Sequence, residues 1–499
     1  MVYGSGVDRY DHVPYDSMPI AEADPSRLFA IGSLFGVPVP AHWRILEVGC
    51  GAGGHLVPLA ARHQGDRWVG FDRATLPIQQ AQGLAERLEA PVDLRQLDLL
   101  DAAEALNDPG LPKAYDLIIA HGVYSWVPEP AREALWGVLS RWLAPEGMAY
   151  LSVNCLPGWG MRGTLGGMLR FVAGDGPPDE QIGRARAFVE LLADLVPASD
   201  PYGAWLRREQ RLVAQQNDAW VFHDLLAPTN RAVWLHELVD RAASHGLQYV
   251  GDAKLQAMLP DQLPAEAQAR LASLGGGQVQ QEQLLDFVLA RSFRRVLLCR
   301  DAVPLSRELG PTAVDGLFVR GQLVGEGKGR FRSLEGAELS ISSPWLQEVF
   351  GELARRRPAS LSIDELVALA PGEAPRVKRN LLLAASRGLV ELRARADGVV
   401  GVPGVRPVAE GVAAALAAET EVPSVIGQRV RLDELGRQLL PLLDGTRDVA
   451  TLVRTLLEQG FTVQQRGGGR LPPGALEGWL QVEVPQRLRS MARAGLLVG

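Results

Sequence analysis

The chain has 499 residues, 47% of them hydrophobic and 22% charged, an ordinary globular composition that allows roughly two to four domains. A formal net charge of −7 argues against a general nucleic-acid binder, which carries a basic footprint. Three cysteines, Cys50, Cys155 and Cys299, are odd in number and far apart, which argues against a disulfide framework or a zinc site and suits a reducing compartment.

Met1 to Asp24 has no basic n-region followed by an apolar core, and no apolar run approaches ~20 residues. A cytoplasmic protein without a membrane span is therefore expected. Residues 1–40 form an N-terminal arm with Tyr3, Tyr10 and Tyr15, and a helix capped by Asp24 starts at Pro25. The arm reads either as a strap packed on the domain or as a lid over a ligand.

Arg44–Val48 is an apolar strand that runs into a glycine turn, Gly49-Cys-Gly-Ala-Gly-Gly54, and then a helix. Glycines at 49, 51 and 53 permit backbone angles that a Cβ would forbid, and they let a ligand approach the main chain at a helix N-terminus. Further strands are expected at Trp68–Phe71, Val92–Gln96, Tyr115–Ala120 and Gly147–Val153, with helices at Pro77–Leu88 and Pro130–Leu143. Strands alternating with helices imply an α/β, doubly wound Rossmann-like sheet over 41–159. Ligands of such sheets bind outside the carboxyl ends of the strands, where Gly49–Gly53, Asp72, Asp98 and His121 fall.

Residues 160–218 read as a helical insertion with breaks at Gly174–Pro178 and Pro197–Pro201. Residues 219–302 hold a strong amphipathic helix, Val233–Ser244, and late strands at Leu247–Gly251 and Phe293–Cys299, which are expected to finish the sheet. Residues 303–343 read as a glycine-rich linker. A winged-helix-like α+β unit is expected over 344–403, with an Asp397-Gly398 hairpin joining Val390–Arg393 to Val399-Val400. A second linker at 404–424 and a second winged-helix-like unit at 425–499 follow. Arg376, Lys378, Arg379 and Arg387 lie in the third helix of the first unit, but the acidic chain has no other basic stripe, so no nucleic acid is expected.

Gly49, Gly51 and Gly54 also satisfy the dinucleotide pattern G-x-G-x-x-G. That reading accounts for Asp72 but not for Glu47 or Asp98. The run Leu46-Glu-Val-Gly-Cys-Gly-Ala-Gly53 with Asp72 and Asp98 resembles the class I S-adenosylmethionine-dependent methyltransferases. His121-Gly-Val-Tyr-Ser-Trp-Val-Pro128, Tyr10–Pro19, Asn154–Trp159 and Val221-Phe-His-Asp-Leu-Leu226 narrow the resemblance to bacterial methyltransferases carrying a methyltransferase regulatory domain, a group that includes protein-lysine methyltransferases. It covers about residues 1–302, and Leu442–Arg447 carries a looser likeness to the winged-helix segments behind that module. Leu226-Ala-Pro-Thr-Asn230 departs from it, lacking the acid usual near 226–227, and 160–218 matches nothing.

The resemblance implies S-adenosylmethionine as cofactor, with S-adenosylhomocysteine as product. It implies cofactor contacts from Glu47, Gly49, Cys50, Gly51, Gly53, Asp72, Arg73, Asp98, Leu99 and His121. Catalytic roles fall to His121 and Tyr124, and acceptor contacts to Tyr10, Tyr15, Tyr124, Trp126, Asn154 and Trp159. A lysine acceptor must shed its proton and sit ~3 Å from the methyl with water excluded, and aromatic walls suit a cation that sheds water. His121 reads as base, as orienting donor, or as a structural imidazole. His223, His236 and His245 fit no ligand spacing, so no metal is expected, and Asp224, Glu237 and Asp240 read as helix-surface charges.

The favoured acceptor is a protein or peptide lysine amine, with a homodimer left open. The competing readings are a small-molecule or natural-product O- or N-methyltransferase and a non-catalytic S-adenosylmethionine-sensing interaction protein.

Overall fold

A computed structural model describes residues 9–464 and 471–499, so Tyr3 lies outside the described residues. Its centre is a seven-stranded sheet of β1 (Arg44–Val48), β2 (Arg67–Asp72), β3 (Val92–Gln96), β4 (Tyr115–Ala120), β5 (Leu143–Asn154), β6 (Leu247–Asp252) and β7 (Phe293–Arg300). The order is β3-β2-β1-β4-β5-β7-β6. β1 to β5 are parallel, and β7 runs antiparallel between β5 and β6. The two late strands thus complete the sheet, and the order reverses direction between β1 and β4, where ligands of such sheets bind.

Side chains alternate across the sheet. Leu117, Ile119, Met148 and Tyr150 join one apolar cluster with the helix Pro25–Leu34. Ile118, Ala120, Ala149 and Leu151 join another with the helix Glu129–Trp142. This period of two decides which residues after β4 can meet, because one step along the chain changes the face.

The insertion folds as three helices, Gly158–Ala173, Pro178–Leu195 and Pro201–Gln215, with a small core of Leu165, Leu169, Ile182 and Val213. Arginines supply donors to its otherwise unpaired helix-end carbonyls: Arg184 Nε donates to Ala173 O at 2.7 Å and Arg207 to Val196 O at 2.9 Å. Beyond it, Arg294 is fully buried and holds Glu282 at 2.8 Å and Asp286 at 2.7 Å, with Asp252 3.6 Å away. This pins the helix Gln278–Leu289 to β7.

Three expectations beyond residue 302 are corrected. The stretch 303–343 is no plain connector, because Phe318–Gly321 is the central strand of a sheet with Ser360–Ser362 and Val390–Arg393. The Asp397-Gly398 turn closes no hairpin: Asp397 is drawn into a buried ion pair with Arg320, and Val399 bridges to Val498 instead. The stretch 404–424 likewise belongs to the last unit, since Val408–Ala409 pairs with Leu497–Val498 and Val412, Ala413 and Leu416 sit in its core.

Both units rest on the sheet domain. Asp24 caps the helix Pro25–Leu34 through the Arg27 amide at 3.2 Å and also accepts from Arg393 at 3.1 Å. Burial would raise this acid, but Arg393 and Arg320 hold it down at about 2. Arg62 pairs with Glu410 at 3.0 Å, and Glu410 in turn caps the helix Gly411–Ala415. Among the described residues no helix is long and apolar enough to cross a membrane.

Removing one member of a buried charge cluster strands the others in a low dielectric, at a cost of roughly 3–5 kcal/mol. Arg294→Ala is expected to lose stability on that scale in urea unfolding followed by circular dichroism. A loss below about 1 kcal/mol would mean that Glu282 and Asp286 find other partners.

Candidate active site

At the end of β1 the chain turns with φ of +71°, +53° and +75° at Gly49, Gly51 and Gly53. The Gly49 and Cys50 amides both bond Phe71 O, at 2.9 and 3.1 Å, so the turn is stitched to β2. Asp72 locks it from the other side, accepting from the Gly51 amide and the Ala74 amide at 3.0 Å each. β2 and β3 pair in register at Asp72 and Gln96, so Asp98 leaves the sheet at the same end. One oxygen of Asp98 accepts from the Leu100 amide at 3.0 Å. Leu99 is buried beside it, and Arg73 is exposed.

One buried polar atom at this turn, Oε2 of Glu47, has no hydrogen-bond partner among the described residues. Glu47 is 3% exposed, and burial, aided by the charge of Asp72, pushes its carboxyl up to about 8. The same burial holds the Cys50 thiol well above its ordinary value, so it is an inert wall. A buried acid with a bare oxygen suits a cationic group, and S-adenosylmethionine carries two, so the residues present fit that cofactor.

The arm crosses the turn directly. Ser17 Oγ accepts from the Gly54 amide at 2.8 Å, Asp11 accepts from the Leu76 amide at 2.7 Å, and the Ile20 amide donates to His55 Nδ1 at 3.1 Å. A Cβ at position 54 would collide with the Ser17 carbonyl, so glycine is required for the arm to sit there. Tyr10 stacks on His223 with ring centres 4.1 Å apart, and His223 Nε2 donates to Val13 O at 2.7 Å.

Tyr15 reaches Asp224 at 3.3 Å. Asp224 was expected on a helix surface but lies largely enclosed in a π-helical turn, Val221–Leu225, and burial pushes its carboxyl up to about 7. Among the described residues no cation lies within ion-pair distance of it; Arg162 is committed to Glu209 at 3.1 Å. Asn154 is buried and donates to Asn230 Oδ1 at 3.1 Å, and Asn230 donates to Asp224 O at 3.4 Å. Trp126 and Trp159 meet edge to face at 6.0 Å at the start of the first insertion helix.

His121 and Tyr124 part company. His121 Nδ1 lies 3.0 Å from the Tyr150 hydroxyl, and burial, with lesser effects from His55 and Arg295, brings the imidazole down to about 4. Tyr124 is turned into the opposite face of the sheet, edge-on to Trp136 at 5.6 Å and 6% exposed. The expected catalytic and acceptor roles of Tyr124 therefore have no support in its position, and the hydroxyl that meets His121 belongs to Tyr150. Among the described residues no group of three His, Cys, Asp or Glu side chains is placed to hold a metal.

Residues 45–147 match the family model of a methyltransferase domain, 217–300 that of a predicted methyltransferase regulatory domain, and 406–496 that of the PKMT C-terminal winged helix domain. Uncharacterized protein RP789 of Rickettsia prowazekii (strain Madrid E) is 32% identical over 317 residues, which are 62% of this chain and 56% of that relative. The chain thus spans little more than half of that relative's length. Uncharacterized protein RP028 of the same organism is 30% identical over 238 residues, 47% of this chain and 93% of that one. The structure of PKMT2 from Rickettsia typhi in complex with AdoHcy shares the fold, with TM-score 0.85 and 23% identity over 97% of this chain and 100% of that one.

Glu47 stays protonated in the unliganded protein below about pH 8, and a cation at Oε2 would draw it into the charged form. Because the folded value lies above the unfolded one, its stabilising effect is complete below about pH 4.5 and is lost as pH rises through about 8. Affinity for S-adenosylmethionine is expected to rise between about pH 6 and 8 in wild type and to stay flat in Glu47→Gln, read by calorimetry. A flat wild-type profile would mean that Oε2 faces no cation.

Proposed function

We propose a function from one premise: the chain belongs to the class I S-adenosylmethionine-dependent methyltransferases that carry a regulatory domain and a PKMT-type winged helix. It transfers a methyl group to the side-chain amine of a lysine in a protein or peptide. S-adenosylmethionine, when bound, would supply the electrophilic methyl, with S-adenosylhomocysteine as the product. Asp72 and Asp98, whose carboxylates lie at this end of the sheet, would accept from its hydroxyl and amino groups, the Gly49–Gly53 turn would give it main-chain contact, and Glu47 would balance its positive charge.

The observation that carries the acceptor assignment is Asp224, a largely enclosed carboxyl beside the Tyr15 hydroxyl with no ion-pair partner among the described residues. An ammonium is the complement such a site calls for. Tyr15 holds Asp224, and Ser17, two residues on, holds the glycine turn. Two residues of extended chain span at most ~7 Å, so the arm keeps the acid near the mouth. With its carboxyl near 7, Asp224 stands about three units closer to a lysine amine of pKa ~10.4 than an ordinary aspartate would. That eases movement of the ammonium proton onto it.

His121 is a poor base for an ammonium because it is neutral down to about pH 4. Where the Tyr150 hydroxyl donates to Nδ1, the Nε2 hydrogen remains, and His121 acts as an orienting donor. Trp126, Trp159 and the 44%-exposed Tyr15 make the aromatic walls. Cys50, Cys155 and Cys299 are buried and unpaired, which suits work in a reducing bacterial cytoplasm.

Hydrogen bonds to charged groups are worth roughly 1.5–3 kcal/mol, or about 10–100-fold. Asp224→Asn is expected to lose about that much kcat/KM for a lysine peptide while calorimetric affinity for S-adenosylhomocysteine is unchanged. Asp72→Ala reverses the pattern, losing cofactor affinity first. Equal loss of cofactor binding in both variants would contradict this division of labour.

A further inference from the structure

A cavity of about 470 Å³ lies away from the sheet, between the first winged-helix-like unit and the terminal one. Val324, Gly325, Ala354 and Val402 are among its apolar lining residues. Arg357, which follows the helix Pro344–Arg356, and Arg493, at the end of the helix Pro473–Arg493, face it from the two units. Its volume is within the range of small-molecule sites, ~300–1,000 Å³.

The charges here are unbalanced. The one acid on the neighbouring turn, Glu352, serves Arg355 and Arg356. Arg357 and Arg493 make no ion pair or side-chain hydrogen bond among the described residues, in a chain whose other arginines mostly have one. Burial, with repulsion from Arg493, lowers Arg357 from its ordinary value. Two unpaired guanidiniums across one cavity repel each other until an anion enters. Their forked donors match phosphate and carboxylate oxygens.

We propose that this cavity binds a small multivalent oxyanion, a molecule bearing phosphate or several carboxylate groups, held between Arg357 and Arg493. The ligand joins residues of two units, so its binding fixes the terminal unit against its neighbour. The site is separate from the methyl-transfer centre and does not depend on how that centre is assigned.

Calorimetric titration of the full chain at constant ionic strength, with sodium pyrophosphate and separately with sodium citrate, tests this. One equivalent of at least one anion is expected to bind, and which one binds tells phosphate from polycarboxylate chemistry. Arg357→Gln and Arg493→Gln should each weaken binding at least tenfold. Arg493 is exposed at a helix end, so Arg493→Gln keeps the test sound even where Arg357→Gln disturbs folding. Absence of binding by both anions, or unweakened binding in Arg493→Gln, overturns the proposal.

Discussion

A side chain at position 54 would strike the Ser17 carbonyl, so the N-terminal arm can lie on the glycine turn only because that residue is glycine. Much else hangs on this seat. From it the arm sends Tyr15 to Asp224, Asp16 to Asn217 at 3.0 Å and Asp24 to Arg393 at 3.1 Å. One short ribbon thereby touches the cofactor turn, the insertion, the regulatory segment and the first winged-helix-like unit. The arm is therefore packed into this end of the sheet by contacts to four parts of the chain.

Charge is used in two ways. In the scaffold, buried acids have close cations: Asp286 and Glu282 share Arg294, Glu410 takes Arg62, and Asp24 takes Arg393. At the mouth, Glu47 and Asp224 are enclosed with no close cation among the described residues, and both carboxyls are pushed upward. Burying an unpaired acid costs stability, so a fold retains it where a ligand completes the pair. This contrast is what supports reading the two lone acids as the proposed cofactor side and acceptor side.

Much of this was legible from residue order. Apolar strands, the glycine turn and the acids two strands apart place the cofactor end of the sheet, because local pattern alone determines them. What escaped depends on register and on distant pairing. Ala120 lies opposite Leu151 and Ile119 opposite Tyr150, and only that register brings Tyr150 to His121 while Tyr124 turns to the other face. Asp224 read as a surface charge because a π-helical turn leaves no periodic trace. Phe318–Gly321 escaped because its partner strand Val390–Arg393 lies far along the chain, and Asp397-Gly398 misled because an ion pair outweighed its turn preference.

The most direct test is to incubate the protein with a lysate and methyl-labelled S-adenosylmethionine, then analyse protein and small-molecule fractions by mass spectrometry. The account predicts acid-stable label in protein, on methylated lysine. Label confined to small metabolites, or none transferred at all, would contradict it.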